Sequence, residues 1–283
     1  MEQLLSRYTR DLALRGFSPR TQAHYLRSAR QFLVFYDLPP DQLDTEKIKD
    51  YLYHLLDTQK ASDSKIRQAH GSLKYLFTQT LARPWEIESI PQMKKKRTLP
   101  SVLSIEEISR LLSSCSNLKH QAMLMLIYSS GLRLSEAVSV QLTDIKRNQK
   151  RILIRQGKGA KDRYVILSDL CLNTLERYWR RYRPETFLFP GRNGKALSPR
   201  ACQHAFHTAK ESAGIHKTGG VHTLRHSFAT HFLESGGGIF QLQMFLGHRN
   251  LKTTLIYAHV QSENIIARSP LDAFEKEFSI DSK

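Results

Sequence analysis

The chain has 283 residues, 40% hydrophobic and 24% charged, a balance that suits a folded protein and excludes a low-complexity or membrane-embedded one. Its 43 lysines and arginines outnumber its 26 acidic residues, for a formal charge of +17. The excess is spread out, with 17 basic and 11 acidic residues up to position 100 and 26 and 15 beyond it, so the favoured partner is a polyanion, nucleic acid first. Cys115, Cys171 and Cys202 are scattered and form no Cys-x-x-Cys pair, which points away from a disulfide framework or a zinc site and towards inert thiols. Met1–Gly16 carries a charge every few residues and does not read as a signal peptide. The longest strongly apolar run, Ala122–Tyr128, is too short for a bilayer. A cytoplasmic, nucleoid-associated protein with no membrane contact is expected.

Residues 1–93 read as a helical domain. Ser18-Pro19 has the form of a cap with proline at the first helical position, and Tyr25, Ala29, Phe32, Leu33 and Tyr36 follow at helical spacing until Leu38-Pro39-Pro40 stops the run. Thr45 is placed to cap the next helix, with Ile48, Tyr51, Leu52 and Leu55 on one face, and Ser62 or Ser64 the one after it, with Ile66, Ala69, Leu73, Leu76 and Phe77. Arg20, Arg27, Arg30, Lys65, Arg67 and Lys74 lie between these stripes, on a face that is either solvated or turned to DNA. Residues 94–100 form a basic linker, where Lys94-Lys95-Lys96-Arg97 repel one another and Pro100 blocks helix continuation.

The second domain is expected over 101–283. Ser104 and Glu107 fit a capping box with Leu111 and Leu112 beyond it. Leu118–Tyr128 reads as a buried helix that Gly131-Leu132-Arg133 breaks, and Leu134–Val138 starts another. Arg151–Gln156 and Arg163–Ser168 are β-type runs around Gly157-Lys158-Gly159-Ala160-Lys161-Asp162, a hairpin with a basic, glycine-rich tip. Helical patterns resume from Leu170, turn-rich segments occupy Pro184–Leu197, and Pro199–Ala213, His222–Ser235, Ile239–Leu246 and Thr253–Val260 read as helices. From about residue 262 a tail carries Leu271, Phe274 and Phe278 as an amphipathic stripe.

Arg133, Lys158, His222, Arg225, His248 and Tyr257 stand out as a set for attacking a phosphodiester without a metal. Charge that develops on the non-bridging oxygens needs positioned donors, and arginine, planar and permanently charged, binds two oxygens at once. Arg225 lies at helical spacing from His222, so both reach one phosphate. Tyrosine can hold a cut end covalently, but its ordinary pKa of about 10 requires a proton acceptor or a cationic setting. Lys158, between two glycines, is free to enter a groove and protonate a leaving oxygen, with Lys161 as its competitor. His-Glu-x-x-His is absent, so no metal and no cofactor are expected; His226 and His231 read as structural, and Glu136 and Asp144 as residues of an apolar helical region.

On these residues the chain resembles the tyrosine recombinases, the phage integrase superfamily, in its Xer and integron-integrase branches. Gly131-Leu132-Arg133-Leu134-Ser135-Glu136, Gly157-Lys158-Gly159, His222-Thr223-Leu224-Arg225-His226, Leu246-Gly247-His248 and Tyr257 fall in the family's order over nearly the whole chain. The resemblance implies a mainly α fold with a small β-sheet in the catalytic domain, arranged as a two-domain C-shaped clamp in which a SAM-like core-binding domain faces the catalytic domain across DNA. It implies that Arg133 and Arg225 hold the scissile phosphate, that His248 donates a further hydrogen bond, and that His222 relays the proton of Tyr257. Lys158 then protonates the departing 5′ oxygen while Tyr257 forms a 3′-phosphotyrosyl link. The expected function is site-specific recombination through a Holliday junction on duplex DNA with an inverted-repeat core site, by a tetramer whose tails dock on neighbours, with or without a second recombinase. A type IB topoisomerase and a non-catalytic DNA-binding factor are the competing readings. Two departures are notable. Gly236-Gly237-Gly238 and Phe240 stand where relatives carry a single glycine and a basic residue, and the extra insertion of the integron integrases is absent between Gly194 and His222.

Overall fold

The computed structural model describes residues 1–83, 85, 100–155 and 162–258. The chain divides into two compact units, Met1–Thr98 and Leu99–Lys283. Lys158 and Lys161, the linker up to Leu99, and the tail from 259 lie outside the described residues.

The first unit is built from four helices: α1 (Glu2–Leu14), α2 (Pro19–Tyr36), α3 (Thr45–Asp57) and α4 (Asp63–Tyr75), the last prolonged by a wider π-helical turn over Leu76–Thr80. Ser18 caps α2 as expected, with proline in the first turn, and Asp37 in the left-handed region closes the helix before the prolines arrive. The cap of α3 is Asp44 rather than Thr45: its carboxylate accepts from the Lys47 N–H at 2.9 Å and sits at the positive end of the helix, which favours a charged acceptor over a hydroxyl. Ser62 caps α4. The apolar stripes converge on a core of Tyr8, Leu12, Phe32, Leu33, Ile48, Leu55, Leu73 and Leu76, with Phe32 edge-on to Tyr51 at 5.2 Å.

The second unit opens with α5 (Ile105–Ser113), whose capping box between Ser104 and Glu107 forms as the sequence implies. Helix α6 (Leu118–Ser130) is apolar all round from Ala122 to Ile127, and α5, α8 (Asp169–Tyr182), α9 (Pro199–Ser212) and α10 (His222–Glu234) all pack on it, so it forms the centre of the main core. Strands β1 (Ile145–Lys146), β2 (Arg151–Ile154) and β3 (Arg163–Ile166) make a small antiparallel sheet in that order, with Ile154 opposite Arg163 at the end nearest Lys158 in the sequence. A short helix, α7 (Leu134–Ser139), follows Gly131, and α11 (Ile239–Leu246) leads to Gly247.

The expected helix over Thr253–Val260 is replaced, in its described part, by two single 3-10 turns, Leu251–Thr253 and Leu255–Tyr257. Thr253, Thr254 and Ile256 are β-branched and disfavour a longer helix, while Asn250 accepts from the Lys252 N–H and starts the first turn. The consequence is functional, because the tight turns fold Tyr257 back onto Phe228, Leu242 and Leu246 in a small core between α10 and α11. Among the described residues, no helix is long and apolar enough to cross a membrane.

Candidate active site

Two left-handed glycines organise the site. Gly131 (φ 60°) ends α6 and Gly247 (φ 60°) ends α11; a Cβ on the first would meet the Phe228 ring at 2.3 Å, and on the second the Arg163 guanidinium at 2.9 Å. Each turn exposes main-chain carbonyls at the negative end of a helix, where cations are stabilised. The last carbonyls of α11 accept from three arginines in succession. Phe245 O takes Arg163 Nε at 3.0 Å, Leu246 O takes Arg225 Nη2 at 2.6 Å, and Gly247 O takes Arg133 Nη2 at 3.2 Å. Arg225 Nη1 also donates to Gly131 O at 2.7 Å, which ties the ends of α6 and α11 together.

The same guanidiniums surround one buried carboxylate. Glu136, 8% exposed, accepts from Arg133 Nη1 at 2.7 Å and from Arg163 Nη1 and Nη2 at 3.0 and 2.8 Å, while Arg225 Nη1 stands 3.9 Å away. Its Oε2 also accepts from the Arg133 N–H at 2.9 Å and so caps α7. Burial alone would raise this carboxyl's pKa, but the bonds and charge of Arg163 and then Arg133 prevail and hold it below the usual value. One negative charge against three positive leaves the cluster cationic, as an anionic substrate requires. Burial, then repulsion from Arg133, lowers Arg225 to about 9, so it stays protonated at neutral pH.

Around this cluster lies a cavity of about 390 Å³ lined by Arg133, His222, Arg225, His226, His248 and Tyr257, among others. Five of the six site residues read from the sequence are therefore brought together, and the sixth, Lys158, lies outside the described residues. His248 Nε2 accepts from Arg225 Nη2 at 3.2 Å and its Nδ1–H donates to the buried Thr254 hydroxyl at 2.9 Å, so this imidazole is neutral; burial, then Arg225 and Arg133, push its pKa down to about 4. His222, the most open of the set, is lowered by burial of its ring and then by Arg225.

Tyr257 is 2% exposed, and burial raises its phenol to about 12 against the opposing pull of Arg225. Its hydroxyl donates to His226 Nδ1 at 2.5 Å. His226, read as structural from the sequence, is thus the phenol's partner. Glu136 and Arg163 join the site without having been singled out in the sequence, although Glu136 lies within the quoted Gly131–Glu136 motif and Arg163 opens the β-type run Arg163–Ser168.

Basic donors, imidazoles and a buried phenol share one cavity, a set suited to chemistry on a phosphodiester. The chain belongs to the phage integrase family, whose model matches residues 101–264, while the family's N-terminal SAM-like domain matches residues 4–87. It is a site-specific DNA recombinase that catalyses strand cleavage and rejoining. The y4qK protein of Sinorhizobium fredii is 38% identical over 271 residues, covering 95% of this chain and 88% of that one. The tyrosine recombinase XerD of Oceanobacillus iheyensis is 34% identical over 268 residues, 87% of this chain and 89% of that one. Among solved structures, a lambda integrase dimer bound to a COC′ core site shares the fold at a TM-score of 0.72 and 18% identity, over 89% of this chain and 96% of that chain.

Proposed function

We propose that Tyr257 is the nucleophile and that Arg133 and Arg225 hold the scissile phosphate against it. The observation that carries this is the single cavity shared by both guanidiniums, His248 and the phenol. The arginines are fixed by carbonyls and by Glu136 before any substrate arrives, so they meet the charge developing on phosphorus without first reorganising. His248 turns from Arg225 to donate to a phosphate oxygen, with Thr254 then donating into Nδ1. His222, at the mouth, exchanges protons between the site and solvent, and Lys158 protonates the departing 5′ oxygen. The energy of the broken bond is kept in a 3′-phosphotyrosyl link, which a 5′ hydroxyl from a partner duplex resolves, so neither ATP nor a cofactor is needed.

The substrate in this reading is duplex DNA with inverted core sites, bound by four protomers through a Holliday junction, with residues 1–93 as the core-binding domain, 101–283 as the catalytic domain and the tail from about 262 docking on a neighbour in the cytoplasm. A lambda integrase tetramer bound to a Holliday junction and a XerH recombinase bound to a palindromic difH substrate support the plan by their fold. The test is to trap DNA covalently on the full chain in its host cell, sequence it, and rebuild that site as a nicked duplex. A covalent adduct that Tyr257→Phe abolishes is expected. No adduct on the recovered site, or one that survives the substitution, overturns the assignment.

A further inference from the structure

We propose that His226 is the base that takes the phenolic proton of Tyr257 as that oxygen attacks phosphorus, and that returns it when a strand end displaces the tyrosine. The proposal rests on Tyr257 being the nucleophile. Helix α10 places His222, Arg225 and His226 at positions i, i+3 and i+4, on one face and in one cavity. The ring centroids of His226 and Tyr257 are 5.9 Å apart, and the 2.5 Å separation of Nδ1 and the phenol oxygen is that of a strong hydrogen bond aimed at the reacting atom. An Nδ1 that accepts from a phenol belongs to a neutral ring with its proton on Nε2. Because the tyrosine is 2% exposed, its proton has to leave to a protein group, and this nitrogen is in contact with it. His222, one turn earlier with its ring centroid 6.1 Å from that of His226, is the next stage outwards.

The electrostatics keep the proton on the phenol until substrate binds. Burial, then His222, then Arg225 lower His226 to about 4, while burial raises Tyr257 to about 12. The titratable and charged groups that share the pair's cavity are His222 and Arg225 on α10, Arg133 at the start of α7, and His248 and Arg249 just after α11. A phosphodiester anion entering this cavity offsets the arginine charge that holds the imidazole neutral, and the phenol becomes acidic as its bond to phosphorus forms. In the forward step the bond from the Tyr257 oxygen to phosphorus forms and the bond from phosphorus to O5′ breaks. The phenolic proton passes to His226 Nδ1, and O5′ takes a proton from a separate acid, the role given to Lys158. Resealing reverses every transfer.

Single-turnover adduct formation by the full chain tests this, on the nicked recovered site made with either ordinary oxygen or sulfur at the bridging 5′ position. Tyr257→Phe is the control for the underlying reading: an adduct there overturns the choice of nucleophile and, with it, a base that serves that phenol. Given a wild-type adduct that the control lacks, His226→Ala and His226→Asn are expected to slow it roughly 10² to 10⁴-fold with duplex binding unchanged. Sulfur, a leaving group that needs no acid, is expected to rescue Lys158→Ala and neither His226 variant. The His226→Asn rate should climb steadily with pH as hydroxide replaces the missing base. Asparagine keeps an acceptor near the Nδ1 position without accepting a proton, so it also covers the case in which His226→Ala fails to fold. A wild-type rate for His226→Asn would reduce the histidine to a positioning role, and rescue of that variant by sulfur would move it to the leaving-group side; either result overturns the proposal.

Discussion

Glu136→Gln isolates the one negative charge among the site's guanidiniums. The wild-type carboxylate is 8% exposed and receives three side-chain bonds from Arg133 and Arg163, with Arg225 3.9 Å away. Glutamine keeps the shape but presents an amide N–H₂ to a guanidinium that has nothing to accept with, and leaves three cations, Arg225 buried and Arg133 and Arg163 half-buried, facing one another. Breaking a buried pair from one side costs about 3 to 5 kcal/mol, which for a unit of this size is on the order of 10 °C in melting temperature. Because the folded-state pKa of Glu136 lies below its ordinary value, its contribution is fully present above about pH 4.3 and is lost as pH falls through the folded value. The glutamine variant has no such contribution to lose, so the gap between the two proteins should narrow as the pH is taken from 5 to 3. Thermal unfolding of both across pH 3–8 is the assay. A variant that melts within a degree or two of wild type at pH 7, or a gap that stays constant in acid, would refute the idea that this carboxylate holds the arginine cluster together.

Gly247→Ala forces a side chain into the left-handed region and a Cβ to 2.9 Å from the Arg163 guanidinium, at a cost of about 1–2 kcal/mol, and should lower adduct formation further than stability, because it displaces carbonyls that hold Arg133 and Arg225. Gly214→Ala, at φ 64° with open space around it, is the comparison and should leave cleavage unchanged. Thr254→Val removes the acceptor of His248 Nδ1 and should slow cleavage about tenfold, as for the loss of one hydrogen bond, without weakening duplex binding. Tyr178→Phe should be neutral or raise the melting temperature by a few degrees, about 1 kcal/mol, since the hydroxyl is buried with no hydrogen-bond partner among the described residues. His226 and His248 have folded pKa values of about 4, below the unfolded value of about 6.5, so urea unfolding should show stability lost as pH falls from 6.5 to 4, a loss that His226→Asn lessens.

What could be read in the sequence, and what could not, follows the range of the interactions involved. Helix α11 was legible to the residue because both of its boundaries are local: a glycine at its start and a left-handed glycine at its end. The cap of α3 was missed by one position because Thr45 and Asp44 are both good caps, and only the geometry of the turn decides between adjacent acceptors. The turns that carry Tyr257 were read as a helix because an apolar spacing over eight residues does not separate a helix from two 3-10 turns packed on the same core. Arg133, His222, Arg225, His248 and Tyr257 could be singled out because their chemical types and motif spacing are unusual together. Glu136 and Arg163 could not: a glutamate in an apolar helix and an arginine opening a short strand have many bland explanations in one dimension. Their meaning depends on contacts 27, 82 and 114 residues apart along the chain, Arg163 to Glu136, Arg163 to Phe245 and Arg133 to Gly247.

Those contacts also explain why the site needs the whole second unit. The exposed carbonyls of α11 can hold three cations, but repulsion would drive the cations apart without Glu136 between them. Glu136 in turn is held in place by the start of α7, where it caps the helix that Arg133 begins. Arg163 closes the circuit, since it reaches both the carboxylate and Phe245 from the strand end next to the Lys158 loop. Arg163, the first residue of β3, thus ties the sheet to the end of α11 and to the carboxylate at once.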